Sequence, residues 1–134
     1  MRIPALVGAS AAVVVLCACG APQTRQDGAV RAGRAFGDAL AAGAYGAACE
    51  LLAPESREQL EEDGKRPCAR ALPSQDLPRG GGAARVDVHG RQALLRLDGE
   101  TLFLSQFDDG WRVTAAGCVP EDGDEPYRCV LKGA

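Results

Sequence analysis

The dipeptide Asp98-Gly99 stands between two runs of apolar alternation and constrains the fold of this chain more than any other feature. A two-residue type I′ turn needs positive φ at its centre, which Asp-Gly accepts. With that loop length, Leu95 faces Leu102 and Ala93 faces Leu104. A second turn at His89-Gly90 sets Val86 against Ala93 and Ala84 against Leu95. Both turns place Val86, Val88, Ala93, Leu95, Leu97, Leu102 and Leu104 on one face. Because side chains alternate with period two, that face is the core. The opposite face carries Arg85, Asp87, Gln92, Arg96, Thr101 and Ser105. A third turn, Asp108-Asp109-Gly110, admits two registers. A two-residue loop puts Trp111 and Val113 on the core face, whereas a three-residue loop with a glycine bulge shifts them. Tyr127 to Leu131 reads as a fifth strand.

Upstream the period is helical. Asp27 caps a first helix running to about Ala42. Ala29, Val30, Ala32, Phe36, Ala39 and Leu40 lie on one broad face, with Arg31, Arg34 and Asp38 opposite. Gly43 is a stop. A second short helix carries Tyr45, Ala48, Cys49, Leu51 and Leu52. A third begins with Pro54 at its first position, followed by Glu55 and Glu58, and ends at Gly64. Lys65 to Gly82 holds three prolines and a triple glycine and reads as a connection pinned by Cys68. Helices followed by an antiparallel meander make the class α+β.

The chain opens on a leader. Met1-Arg2 is a short positive region, and Ile3 to Leu16 is apolar but shorter than the roughly 20 residues a bilayer span takes. The run closes on Val15-Leu16-Cys17-Ala18-Cys19-Gly20. This resembles the bacterial lipoprotein signal, in which the cysteine after the cleavage point is lipidated. Cys19 fits that place, with small Ala18 before it. Cys17 is the rival and has bulky Leu16 before it. The expected organisation is a signal peptide over 1–18, a tether over 19–27 and one α+β domain over 28–134. The expected location is the extracytoplasmic face of the cell membrane, held through lipid on Cys19.

Cys49, Cys68, Cys118 and Cys129 follow. An even count in an exported chain reads as a disulfide framework. Of the three pairings, Cys49–Cys68 and Cys118–Cys129 is favoured because each closes a short loop. Six aromatic residues (three Phe, two Tyr and one Trp) make a thin core, for which staples matter. No CxxC spacing occurs and His89 is the only histidine, so neither a zinc tetrad nor another cofactor site is expected. Fifteen basic side chains stand against 18 acidic ones without a basic stripe, which argues against nucleic acid.

Asp38 to Tyr45 and Ala47 to Pro54 resemble the helix–helix start of nuclear-transport-factor-2-like cone folds. In particular they are similar to small exported lipoproteins of actinobacteria, whose late Gly-Trp signature Gly110-Trp111-Arg112-Val113 resembles. The resemblance implies helices packed on a curved antiparallel meander. Functions on that fold differ, so the site must carry any claim. The predicted core face holds no carboxylate. His89 falls in a turn, and Asp38 and Tyr45 suit a helix surface and helix packing. Glu61-Glu62-Asp63 and Glu121 to Glu125 read as solvated acidic clusters, the second without the spacing of a calcium loop. Leu94, Phe103 and Phe107 are apolar on the polar face of the sheet. They form a candidate interface, unless the Lys65–Gly82 segment or the C-terminal tail covers them. The leading expectation is a non-enzymatic envelope lipoprotein that binds a protein partner, another copy of itself or a small apolar ligand. The alternatives are an isomerase- or dehydratase-type enzyme, or a spacer subunit of an envelope complex.

Overall fold

A computed structural model describes residues 22–123 and 126–133, with isolated positions 2, 4, 8 and 12–14 before them. Residues 15–21, which include Cys17 and Cys19, and residues 124 and 125 of the second acidic cluster lie outside the described residues. The chain is α+β. Among the described residues four helices, α1 (Gln23–Ala41), α2 (Tyr45–Glu50), α3 (Pro54–Gly64) and α4 (Cys68–Ala71), precede five strands. The strands are β1 (Gly81–His89), β2 (Gln92–Asp98), β3 (Glu100–Phe107), β4 (Gly110–Pro120) and β5 (Tyr127–Lys132). They form one antiparallel sheet in the order β1-β2-β3-β4-β5.

Helix α1 begins five residues earlier than an Asp27 cap would set it, so residues 23–27 are helical rather than tether. Pro22 occupies the cap without a side-chain bond, and the Asp27 carboxylate accepts from Gln23 Nε2 at 2.9 Å. The other end follows from Gly43. Its φ of 68° lets the Gly43 N–H reach Leu40 and the Ala44 N–H reach Ala39, a Schellman closure. The inner face of α1 runs Ala29, Gly33, Phe36, Gly37 and Leu40. Gly33 matters because a Cβ there would collide with Leu95 Cδ2, so only glycine lets α1 sit this close to β2. Gly28 leaves room for the Trp111 ring in the same way.

Helix α3 starts on Pro54, but Lys65, not Gly64, takes the left-handed stop, at φ 52°. The Lys65–Gly82 segment is more than a connection. It forms α4 and a 3-10 turn over Leu72–Gln75, and Cys68, Ala71 and Leu72 are buried in the core.

The Asp98-Gly99 turn gives Leu95↔Leu102 and Ala93↔Leu104, as its two-residue loop dictates. The β1–β2 turn falls on Gly90-Arg91, not His89-Gly90, so Val86 pairs with Leu95, Val88 with Ala93 and His89 with Gln92. Moving a turn by one residue shifts the register by two. Partners change while faces do not, and Val86 and Val88 still pack on the core. The β3–β4 loop is the two-residue Asp108-Asp109, which puts Trp111 and Val113 inside. Register shifts between Thr101 and Leu104 then bend β4 against β3. Beyond the bends Ala116 and Leu131 face the core.

Among the described residues two disulfides close the fold. Cys49–Cys68 ties α2 to α4, and Cys118–Cys129 joins residues directly opposite in β4 and β5. With sequence separations of 19 and 11, each bridge contributes about 3 kcal/mol by restricting the unfolded chain.

Candidate binding surface

The inner face of the sheet is full. Phe36 from α1 shares one core cluster with Leu95, Leu102, Leu104 and Val113, all buried to 1% exposure or less. Such packing leaves no room there for a substrate. Among the described residues, the buried polar side chains are Ser56, Glu100 and Thr101.

Glu100 is the buried acid that sequence reading missed. It sits just after the Asp98-Gly99 turn, where alternation gives no sign that a carboxylate will be covered. Its carboxylate accepts from the Gly117 N–H at 3.0 Å and from the backbone of Gly80. Burial raises its pKa above the usual carboxylate range, while the two amide bonds act the other way. Gly80 and Gly117 are glycines for a reason here. A Cβ on Gly80 would strike the Glu100 carboxylate, and Gly117 has a φ of 64°. Through these two bonds Glu100 ties the start of β3 to β4 and to the segment leading into β1. Thr101, expected among the solvated residues of the outer face, is buried opposite Arg96 and Cys118.

The candidate catalytic side chains are dispersed. Asp38 is exposed on α1, and His89 is exposed at the last pair of β1 rather than in the turn. Tyr45 packs half-buried against the core and lines a small cleft with Leu72 and Leu77. None of the grooves described among these residues is lined by two of the three.

The outer face holds the feature with room for a partner. Phe103, Phe107, Gln92, Ser105 and Ala115 floor a groove of about 500 Å³. Its rim is the entry to α3, Ala53 to Ser56, and the end of β5, Lys132 and Gly133. The rim is fixed by backbone pairing. Ala53 donates to Val113 O, Val113 donates to Leu51 O, and Leu52 thereby extends the free side of β4 beyond β5. Ser56 Oγ, buried, donates to Thr114 O at 2.7 Å, and the Gly133 N–H reaches the same carbonyl. On the floor, Ser105 Oγ bonds Gln92 Oε1 at 2.9 Å, a neutral polar pair beside two phenyl rings.

The three interface candidates have different fates. Phe107 is 37% exposed and also borders a second groove, beside Pro54, Arg57 and Arg112. Phe103 is half-buried, with the edge of Tyr127 against it at 5.2 Å between centroids. Leu94, its cross-strand partner, is half-buried and outside the groove lining. The start of β5 covers part of this patch through Tyr127, and the Lys65–Gly82 segment does not line the groove. Tyr127 also bonds Arg96, whose guanidinium pairs with Asp87. The outer face thus divides into a closed polar end and an open aromatic end. The chain matches no protein-family model, no curated protein and no solved structure.

Proposed function

We propose that this chain is an envelope lipoprotein, anchored through Cys19 on the extracytoplasmic face of the cell membrane, that acts as a non-enzymatic binding module. Its partner is a polypeptide that seats an apolar side chain in the outer-face groove. The observation that carries this reading is the pairing of a filled inner face with an open groove floored by Phe103 and Phe107. An enzyme of the isomerase or dehydratase kind needs an acid facing a cavity, whereas Glu100 is occupied by backbone amides. The arrangement of helices on a bent antiparallel meander supports a nuclear-transport-factor-2-like cone as the fold. In this reading residues 20–22 alone join lipid to helix. That span holds α1 within about 14 Å of the bilayer surface.

Native mass spectrometry of the protein released gently from its own membranes tests the function. The expected result is a second polypeptide bound to the chain, lost from Phe107→Asp but kept by Val130→Asp, with both variants unchanged in thermal unfolding. A bare monomer, a bound small molecule alone, or a polypeptide retained equally by Phe107→Asp would each defeat the proposal.

A further inference from the structure

The two disulfides are not equivalent. Cys49 and Cys68 are each 1% exposed between α2 and α4, and Cys118 is fully buried. Cys129 alone of the four is half-buried rather than buried, and it lines a groove of about 350 Å³ between β5 and α3, beside Gln59, Asp63 and Val130. It also lies on an edge strand. β5 has β4 as its only neighbour in the sheet, and local opening begins at such strands. Thiol–disulfide exchange requires a thiolate to reach one sulfur in line with the bond, so access decides which bridge reacts.

We infer that Cys118–Cys129 is an exchange site for a dithiol reductant, with Cys129 as the sulfur attacked. A reductant thiolate attacks Cys129 Sγ and forms a mixed disulfide. The Cys118–Cys129 bond breaks, and Cys118 leaves and takes up a proton to end as a buried thiol. The second thiolate of the reductant then attacks its own sulfur in the mixed disulfide and frees Cys129, which is protonated in turn. The chain gains two electrons and two protons, and the dithiol becomes a disulfide. Cys49–Cys68 stays closed.

The exchange has a mechanical consequence. β5 supplies Lys132 and Gly133 to the rim of the outer-face groove and Tyr127 to the side of Phe103. Freeing β5 loosens that wall. Its effect on docking rests on the function proposed above, whereas the exchange chemistry does not.

The test uses the folded, oxidised chain and a CxxC oxidoreductase whose second cysteine is replaced by alanine, so that the mixed disulfide is trapped. Peptide mapping after an acid quench should find the adduct on Cys129, with Cys118 free and Cys49–Cys68 intact. An adduct on Cys118, Cys49 or Cys68, or one that forms only in denaturant, overturns the assignment. With the intact oxidoreductase, amide exchange at Tyr127–Lys132 should rise by about tenfold or more while Leu102 to Leu104 keep their protection. Unchanged exchange in β5 overturns the loosening. Neither readout involves the docked partner, so failure here and failure of the proposed function are told apart.

Discussion

Gly33 shows how one missing carbon positions a helix. The residue is buried on α1, with Leu95 of β2 directly against it. Adding a methyl group there raises intrinsic helix propensity by about 1 kcal/mol. It also drives Cβ into Leu95 Cδ2, on a side chain that is wholly buried and has nowhere to retreat. Overpacking of that kind costs about 1–3 kcal/mol, so the collision outweighs the propensity gain. Gly33→Ala should therefore lower unfolding stability by up to about 2 kcal/mol, the overpacking cost less the propensity gain. Gly46 is the contrast. It lies in α2 with open space around its Cα, and Gly46→Ala should raise stability by about 0.4–1 kcal/mol. Urea melts of the two variants check the argument, and equal shifts in the same direction would refute it. Sequence alone did not single out Gly33, because glycine carries no apolar signal. The helical period was read from Phe36, Leu40 and the alanines around it.

At the scale of elements, Glu100 fastens three segments. The lead-in to β1 meets it through Gly80, β4 through Gly117, and it opens β3. Burial lifts the folded-state pKa above that of the unfolded chain, so the folded protein holds this proton more tightly. The contribution to stability is then fullest below the unfolded carboxylate pKa and is lost as pH rises through the raised folded value. Glu100→Gln removes the titration and should flatten the fall in stability that sets in above the ordinary carboxylate pKa of about 4. A variant that keeps the wild-type slope would show that another group titrates there. The β-meander itself was legible because its turn chemistry and its period agree. Core faces followed from parity alone, so the one-residue error in the first turn left them intact. The short α4 and the 3-10 turn were not legible. Pro67 and Pro73 make them look like loop, and only the Cys49–Cys68 bridge and the burial of Leu72 make them part of the core.

At the scale of the whole molecule, the layers settle which surface is free. The helices close one face of the sheet, and the aromatic end of the other stays open. If Cys19 carries the anchor, Cys19→Ala should leave the protein released from membranes or unprocessed on fractionation. Full membrane retention of a cleaved, unlipidated form would contradict the anchor.

The sequence by itself determined that helices precede a meander, set the core faces of β1 to β3 and favoured the nearest-neighbour cysteine pairs, because turns, periodicity and short loops are local physics. Only the tertiary structure decided that the inner face is filled, that Glu100 is buried, that Phe103 is partly covered and Phe107 is not, and that of the four bridged cysteines Cys129 alone is partly open to solvent. Each of those depends on which distant segment packs alongside, and neither composition nor period carries that information.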